Sequence, residues 1–365
     1  MRTTAALVES PGGDFVLEEV ELSEPRADEV LLRVVATGLC HTDLSVRDTL
    51  PAEMFPRVFG HEGAGVVEAV GAEVTGIAVG DHVVASFNSC RTCENCTTLG
   101  PGYCSETVVL NYMGFRPDGS TTYSRNDAPL YGSFFGQSTF ARHAIASADN
   151  LVVVDKSLDL ARLGPYGCAF QTGAGTVLNV LQPGPEDSLV VYGVGAVGVA
   201  ALAAARAEGV GTVIAVDLQP ARLDVAATHG AIPLNPADLG ETSLVDKIKE
   251  LTGGGPSHSV DTTGVAAVIK DAVAALRPRG EMVVLGLGAP TFELDAVDLM
   301  MNGKVVRGSV EGDSDPKVMI PRLLELAASG AFDVDSLITT YPFDRINDAA
   351  ADVLAGKVVK PVLVW

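Results

Sequence analysis

The chain has 365 residues, with 46 acidic against 25 basic side chains and a formal net charge of −21. At 47% hydrophobic and 19% charged it has a globular composition, which excludes intrinsic disorder, and its length suits two domains. The negative charge argues against a nucleic-acid partner, because phosphate backbones demand a basic surface. The N-terminal MRTTAALVESPGGDF lacks a sustained apolar core, and the charge-free stretches 163–185 and 188–205 are broken by Pro, Gly, Gln171 and Asn179. A cytoplasmic protein with no membrane association is expected. Disulfides are rare there, so the six cysteines are to be explained as metal ligands, catalytic groups or small buried hydrophobes.

The first 160 or so residues read as short strands, among them Val30–Val35, Gly65–Val70 and His82–Ser86. Turn signals such as Pro11-Gly12-Gly13 and Val79-Gly80-Asp81 separate them. From about Leu163 the rhythm becomes strand, glycine turn, Ala-rich helix. Leu189–Tyr192 is a strand, Val197–Glu208 a helix, Thr212–Val216 a strand and Ala221–Thr228 a helix. Ser259–Val260 (strand), Val265–Ala275 (helix) and Glu281–Leu285 (strand) continue the series. Such alternation predicts an α/β fold with a doubly wound parallel sheet. A helix around Met319–Ser329 and a closing strand in VVKPVLVW follow.

Gly193-Val194-Gly195-Ala196-Val197-Gly198 matches G-x-G-x-x-G after an apolar strand and at the opening of a helix, the placement of a dinucleotide fingerprint. The glycines permit a tight turn, close approach of backbone N–H groups to a pyrophosphate, and close packing of helix on strand. Asp217, nineteen positions past Gly198, suits both ribose hydroxyls and repels a 2′-phosphate, which favours NAD over NADP. The rival reading is a ligand-free glycine turn and an Asp that caps the next helix. Arg222 either covers the adenosine ribose or is a solvated helix-face residue.

Cys90, Cys93, Cys96 and Cys104 form C-x2-C-x2-C-x7-C, a loop short enough to wrap one ion tetrahedrally. Cysteines spaced by threes also suit iron–sulfur ligation, where the fourth often serves another cluster. Here the fourth lies close by in a polar loop, which suits a structural zinc. Cys40 lies in GLCHTD at the end of an apolar strand, His61 and Glu62 in GHEGAG before another, and Cys168 stands alone. Taken singly, each is more simply structural than a ligand. None of the serines has a triad context.

With GHEGAGVVEAVG, GDHV, the four-cysteine lobe, GVGAVG, Asp217 and VVKPVLVW, the chain strongly resembles the zinc-containing medium-chain alcohol dehydrogenases along essentially its whole length. CHTDL and Phe134-Phe135-Gly136-Gln137-Ser138-Thr139-Phe140 look most like the bacterial aryl-alcohol (benzyl-alcohol) dehydrogenases. The resemblance implies a β-rich GroES-like catalytic domain over 1–164 and 311–365, with the structural-zinc lobe at about 88–106, and a Rossmann-type NAD-binding domain over 165–310. It implies that Cys40, His61 and Cys168 bind a catalytic zinc, the two-sulfur, one-nitrogen set with an open position for which alcohol dehydrogenase is the reference case. Glu62 is then either a transient ligand or a group that supports the ligands from just behind them, Asp43 orients His61, and Thr42 takes the substrate proton. Gly193, Gly195, Val197, Gly198, Asp217, Arg222, Thr172 and Lys360 match cofactor positions.

Two departures stand out. His41 replaces an arginine that commonly meets the pyrophosphate, and Ser45 replaces a histidine that ends the proton relay in many animal enzymes. The expected activity is oxidation of a primary aryl or allylic alcohol, such as benzyl alcohol, with hydride transfer to NAD, by a homodimer or homotetramer holding two zinc ions per chain. Phe87, Leu110, Met113 and Met300 are pocket or core residues on this reading. One rival is an S-hydroxymethyl thiol-adduct dehydrogenase of the same family, which needs basic pocket residues. The other is a non-catalytic redox or zinc sensor, which has no use for the dinucleotide turn.

Overall fold

Short runs rich in Val, Ala and Thr, buried along most of their length, build the first part of the molecule. Its strands are β1 (Arg2–Val8), β2 (Val16–Leu22), β3 (Glu29–Gly38), β4 (Arg57–Val58), β5 (Glu62–Val70), β6 (His82–Ala85), β7 (Tyr123–Arg125), β8 (Ala128–Leu130), β9 (His143–Ser147) and β10 (Leu151–Val154). The second part contributes β11 (Ser188–Tyr192), β12 (Thr212–Val216), β13 (Ile232–Leu234), β14 (His258–Asp261), β15 (Glu281–Val284) and β16 (Val305–Gly308). The chain then returns with β17 (Ile338–Pro342) and β18 (Lys360–Val364).

The computed structural model describes residues 1–365 and divides into two units. One comprises Met1–Cys168, Asp315–Arg322 and Asp335–Trp365; the other comprises Ala169–Ser314 and Leu323–Val334. The segment Leu323–Val334, placed with the catalytic domain on sequence grounds, groups with the second unit. No helix is long and apolar enough to cross a membrane.

In the first unit a five-stranded sheet runs β4-β1-β2-β7-β8, and a seven-stranded sheet runs β10-β6-β5-β3-β18-β17 with β9 also on β3. Two pairings matter most. The antiparallel β3–β5 register sets Gly38 opposite Glu62, and the antiparallel β18–β3 register sets Val362 opposite Gly38. Segments far apart in sequence therefore end side by side at one point. The apolar core behind them includes Phe15, Phe59, Phe134 and Phe140, all buried. Phe140 stacks edge-on against Phe15 at 5.5 Å between ring centroids.

The second unit is a six-stranded parallel sheet in the order β13-β12-β11-β14-β15-β16. This is the dinucleotide-fold order, and its topological switch lies between β11 and β14, where ligands collect at the carboxyl ends of the strands. Helices Ala196–Ala207, Pro220–Thr228 and Ala266–Ala275 lie within one or two residues of their expected spans. The expected helix at Met319–Ser329 starts earlier, at Pro316. Strand β13 lies outside the sequence expectation because Pro233 interrupts its pattern; helix Leu244–Leu251 also lies outside it, although Leu244, Val245, Ile248 and Leu251 share one face behind a Ser243 cap.

Phe140→Ala empties a fully buried aromatic site. Chemical unfolding is expected to show a loss of about 3–5 kcal/mol. A loss under about 1 kcal/mol would contradict this packing.

Candidate metal centres and cofactor turn

Cys40 caps the helix His41–Thr49 just past the end of β3, His61 immediately precedes β5 and Glu62 opens it, and Cys168 follows the short helical turn Gly164–Gly167. Ligand-capable atoms of Cys40, His61, Glu62 and Cys168 all lie within 4.8 Å of one another. The fully buried Asp43 organises them. Its Oδ2 accepts the Cys40 N–H at 3.0 Å, and its Oδ1 accepts the Gly60 N–H at 3.1 Å and lies 2.9 Å from His61 Nδ1. With Nδ1 held there, the buried His61 Nε2 has no hydrogen-bond partner. An orphaned imidazole nitrogen facing two thiols and a carboxylate is the donor set a zinc ion takes.

The charges agree. A hydrogen bond from Cys168, with Lys360 and His61, pulls the Cys40 thiol well below its ordinary pKa despite burial, which favours the metal-binding thiolate. Burial opposes charge on His61, but Asp43 and Cys40 outweigh it and push its pKa up. Burial also pushes Glu62 up, against the pull of Lys360. Lys360, expected to contact cofactor phosphates, is 2% exposed, and its Nζ lies 2.6 Å from the Glu62 carboxylate. Thr42 Oγ1 lies 3.7 Å from Cys40 Sγ, and Ser45 follows one turn along the same helix face. His41 is exposed at the first helical position.

An aromatic wall completes this centre. The Phe135 ring lies 4.6 Å from the His61 ring and 5.3 Å from Tyr112, and Phe134 meets His61 edge-on at 5.5 Å. Sequence reasoning noted Phe134 and Phe135 only as part of a family-like string and missed Tyr112; no local pattern signals these contacts. Of the residues expected in pocket or core, Phe87 is buried in the core cluster, and Leu110 and Met113 are half-buried. Met300 is 70% exposed on the helix Ala296–Asn302, a surface position rather than a core one.

Cys90, Cys93, Cys96 and Cys104 likewise converge within 4.8 Å. Backbone N–H groups aim at the sulfurs: Cys93 to Cys90 at 3.3 Å, Cys96 to Cys93 at 3.4 Å, and Cys90 to Cys104 at 3.3 Å. The Ser105 N–H and neighbouring donors pull Cys93 down to about 5, whereas desolvation pushes Cys96 up to about 12. A cation among four sulfurs is the charge that reconciles them, since a coordinating thiol is deprotonated outright.

In the second unit Gly193 takes φ +89°, and a Cβ on Gly198 would collide with the Gly193 carbonyl. A Cβ on Gly195 would meet nothing within 4 Å, so that glycine keeps open a space at the N-terminus of helix Ala196–Ala207 and answers no packing demand. Such a cradle suits a pyrophosphate. Asp217, at the end of β12, accepts the Val194 N–H at 2.8 Å and the Gln219 N–H at 2.9 Å. Arg222 Nη1 lies 3.7 Å from Asp217 Oδ2. Thr172 donates to Glu311 at 3.1 Å, and the neighbouring Gly173 packs on the Val197 carbonyl.

Comparison with known proteins agrees with this geometry. Residues 26–156 match the alcohol dehydrogenase GroES-like domain, and residues 196–329 match the zinc-binding dehydrogenase domain. Geraniol dehydrogenase of Castellaniella defragrans is 43% identical over 99% of this chain and 97% of its own length. A Burkholderia ambifaria alcohol dehydrogenase zinc-binding domain protein superposes with a TM-score of 0.95 at 44% identity, covering 100% of this chain and 99% of that one. Benzyl alcohol dehydrogenase of Acinetobacter calcoaceticus gives 0.94 at 41% identity, with the same coverage. With two cysteine-bearing clusters that could each hold a metal ion, a dinucleotide sheet and relatives matched end to end, the chain belongs to the zinc-containing medium-chain alcohol dehydrogenases.

Proposed function

We propose that this protein oxidises primary allylic or aryl alcohols to aldehydes with NAD, and reduces the aldehydes in reverse. The observation that carries the reading is the orphaned His61 Nε2, framed by Cys40, Cys168 and Glu62 and faced by the Phe135 ring. Flat conjugated substrates suit an aromatic wall, and two relatives named for geraniol and benzyl alcohol support that choice.

Cys40, His61 and Cys168 would hold the catalytic zinc, which supplies Lewis acidity toward an alcohol oxygen. Asp43 fixes the His61 tautomer by accepting its Nδ1 proton, and Lys360 restrains Glu62 within reach of the centre. NAD, when bound, would supply the hydride acceptor; Thr42 Oγ1 would take the alcohol proton and pass it along the helix face toward Ser45 and water. Cys90, Cys93, Cys96 and Cys104 would hold a second, closed zinc with no open position, a structural role. Gly193, Gly195, Val197 and Gly198 would receive the cofactor pyrophosphate, and Asp217 with Arg222 the adenosine ribose.

The quaternary state we propose is a homodimer or homotetramer. Edge strand β16 leaves three of its four residues exposed, near helix residues Val297, Met300 and Met301 at 65%, 70% and 73% exposure. An open strand edge and an apolar patch both invite a second copy. Light scattering reporting a monomer would overturn this.

Cys168→Ser is expected to lower zinc from two ions per chain to one and turnover to background, with NADH binding retained by fluorescence. A fully active variant would remove Cys168 from the catalytic centre. Cys96→Ser is expected to release the other zinc and lower the thermal midpoint before activity is affected. Asp217→Ser removes charge-assisted hydrogen bonds worth about 1.5–3 kcal/mol, roughly 10- to 100-fold in KM for NAD. Unchanged discrimination against NADP would exclude Asp217 from ribose recognition. In an alcohol panel, kcat/KM for geraniol, cinnamyl alcohol and benzyl alcohol should exceed that for ethanol; a preference for formaldehyde plus a thiol would replace the substrate reading.

A further inference from the structure

The three segments that carry Cys40, His61 and Cys168 come from distant parts of the chain, and one buried polar network runs behind all of them. Its hub is Gln137, which is fully buried. Gln137 Nε2 donates to the His61 carbonyl at 2.8 Å and to the Ser86 carbonyl at 2.9 Å, while its Oε1 accepts the Gly63 N–H at 3.0 Å. One amide thus brackets His61-Glu62 on both sides. Ser86 Oγ in turn donates to the Gly167 carbonyl at 2.6 Å, one residue before Cys168. Thr139 Oγ1 lies 3.4 Å from Gln137 Oε1 and 2.9 Å from Thr37 Oγ1, three residues before Cys40. Asn150 Nδ2 donates to the carbonyls of Ser86, Phe135 and Gly136 at 3.2, 3.0 and 3.3 Å.

The turn that presents Gln137 is costly to form. Ser133, Phe135, Gly136 and Ser138 all take positive φ, at 54°, 52°, 68° and 53°. Left-handed backbone at a bulky aromatic persists only where the surroundings enforce it, and such strain gathers at functional sites. Here the strain serves two ends, since the same turn lays the Phe135 ring on His61 and delivers the Gln137 amide behind it.

We propose that Gln137 is a positioning residue for the metal centre. A hydrogen bond to the carbonyl of His61 itself restricts the backbone torsion at that residue, and with it the direction in which the imidazole leaves the chain. Through Ser86 the same amide sets the height of Cys168 relative to His61. Only a side chain that donates twice and accepts once from a single planar group fills this position; glutamate of the same size offers acceptors where two carbonyls already point. The inference rests on Cys40, His61 and Cys168 being the ligands.

The test compares wild type, Gln137→Leu, Gln137→Glu, Ser86→Ala and Cys168→Ser as full-length holoproteins. Each is assayed by circular dichroism, by zinc content, and by the rate of zinc transfer to a chromophoric chelator. Outer partners of metal ligands typically govern affinity by about 10- to 100-fold. One of the two zinc ions is therefore expected to leave the Gln137 and Ser86 variants at least about tenfold faster than wild type, while the four-cysteine zinc leaves at an unchanged rate. Cobalt(II) substituted at the faster site should show a shifted visible spectrum in the same variants. A merely structural role would loosen both ions together or neither. Folded Gln137→Leu that releases both zincs at wild-type rates overturns the proposal, and if that variant does not fold, Ser86→Ala decides on the same criterion. Cys168→Ser that still holds two zinc ions overturns the ligand assignment itself, whatever the Gln137 variants do.

Discussion

The satisfaction of one buried negative charge organises the catalytic half of this molecule. Asp43 is stripped of water, and an ionised carboxylate in that position is tolerated only when donors surround it. Its donors come from the Cys40 N–H, the Gly60 N–H and His61 Nδ1. The end of β3, the start of the helix His41–Thr49 and the loop before β5 are thereby fixed to one another. Asp43 also lies in the first turn of that helix, where the helix dipole favours a negative charge.

A second charge pair draws in the far end of the chain. Burial works against the Lys360 ammonium, but Glu62 and Cys40 outweigh it, and its pKa is raised. The lysine reaches Glu62 because β18 pairs with β3, which itself pairs with β5. Two carboxylates, two thiols, an imidazole and an ammonium therefore share one region, buried except at the half-exposed Cys40. Such an arrangement could hold a cation, and His61 Nε2, left without a hydrogen-bond partner, is the donor free to meet it. The four-cysteine lobe solves the same electrostatic problem differently, with backbone N–H groups aimed at sulfur along a single short loop.

The aromatic side chains add a third layer. Arg57, itself buried, lies 5.4 Å over the faces of both Phe59 and Phe134, and burial holds its pKa down at about 10. Phe134 then meets Phe135 at 4.9 Å, and both rings face His61. The apolar core thus continues without a break into the wall of the metal centre, so packing errors in the core are felt at the site.

Local chemistry was legible in the sequence wherever partners lie close along the chain. The four-cysteine loop spans fifteen residues, the glycine turn six, and helix and strand periodicity a dozen at most. Backbone geometry and residue type decide such features before the chain folds. The convergence of Cys40, His61 and Cys168 was reachable only through family resemblance, because nothing in their spacing brings them together. Lys360 on Glu62, Phe135 on His61 and Gln137 behind the His61 carbonyl depend on sheet registers and on a strained turn that no local pattern encodes. Residue chemistry alone determined which ions and which cofactor the chain is equipped for. Only the tertiary structure decided where each donor points, because hydrogen-bond and coordination directions follow from strand pairing between segments tens to hundreds of residues apart.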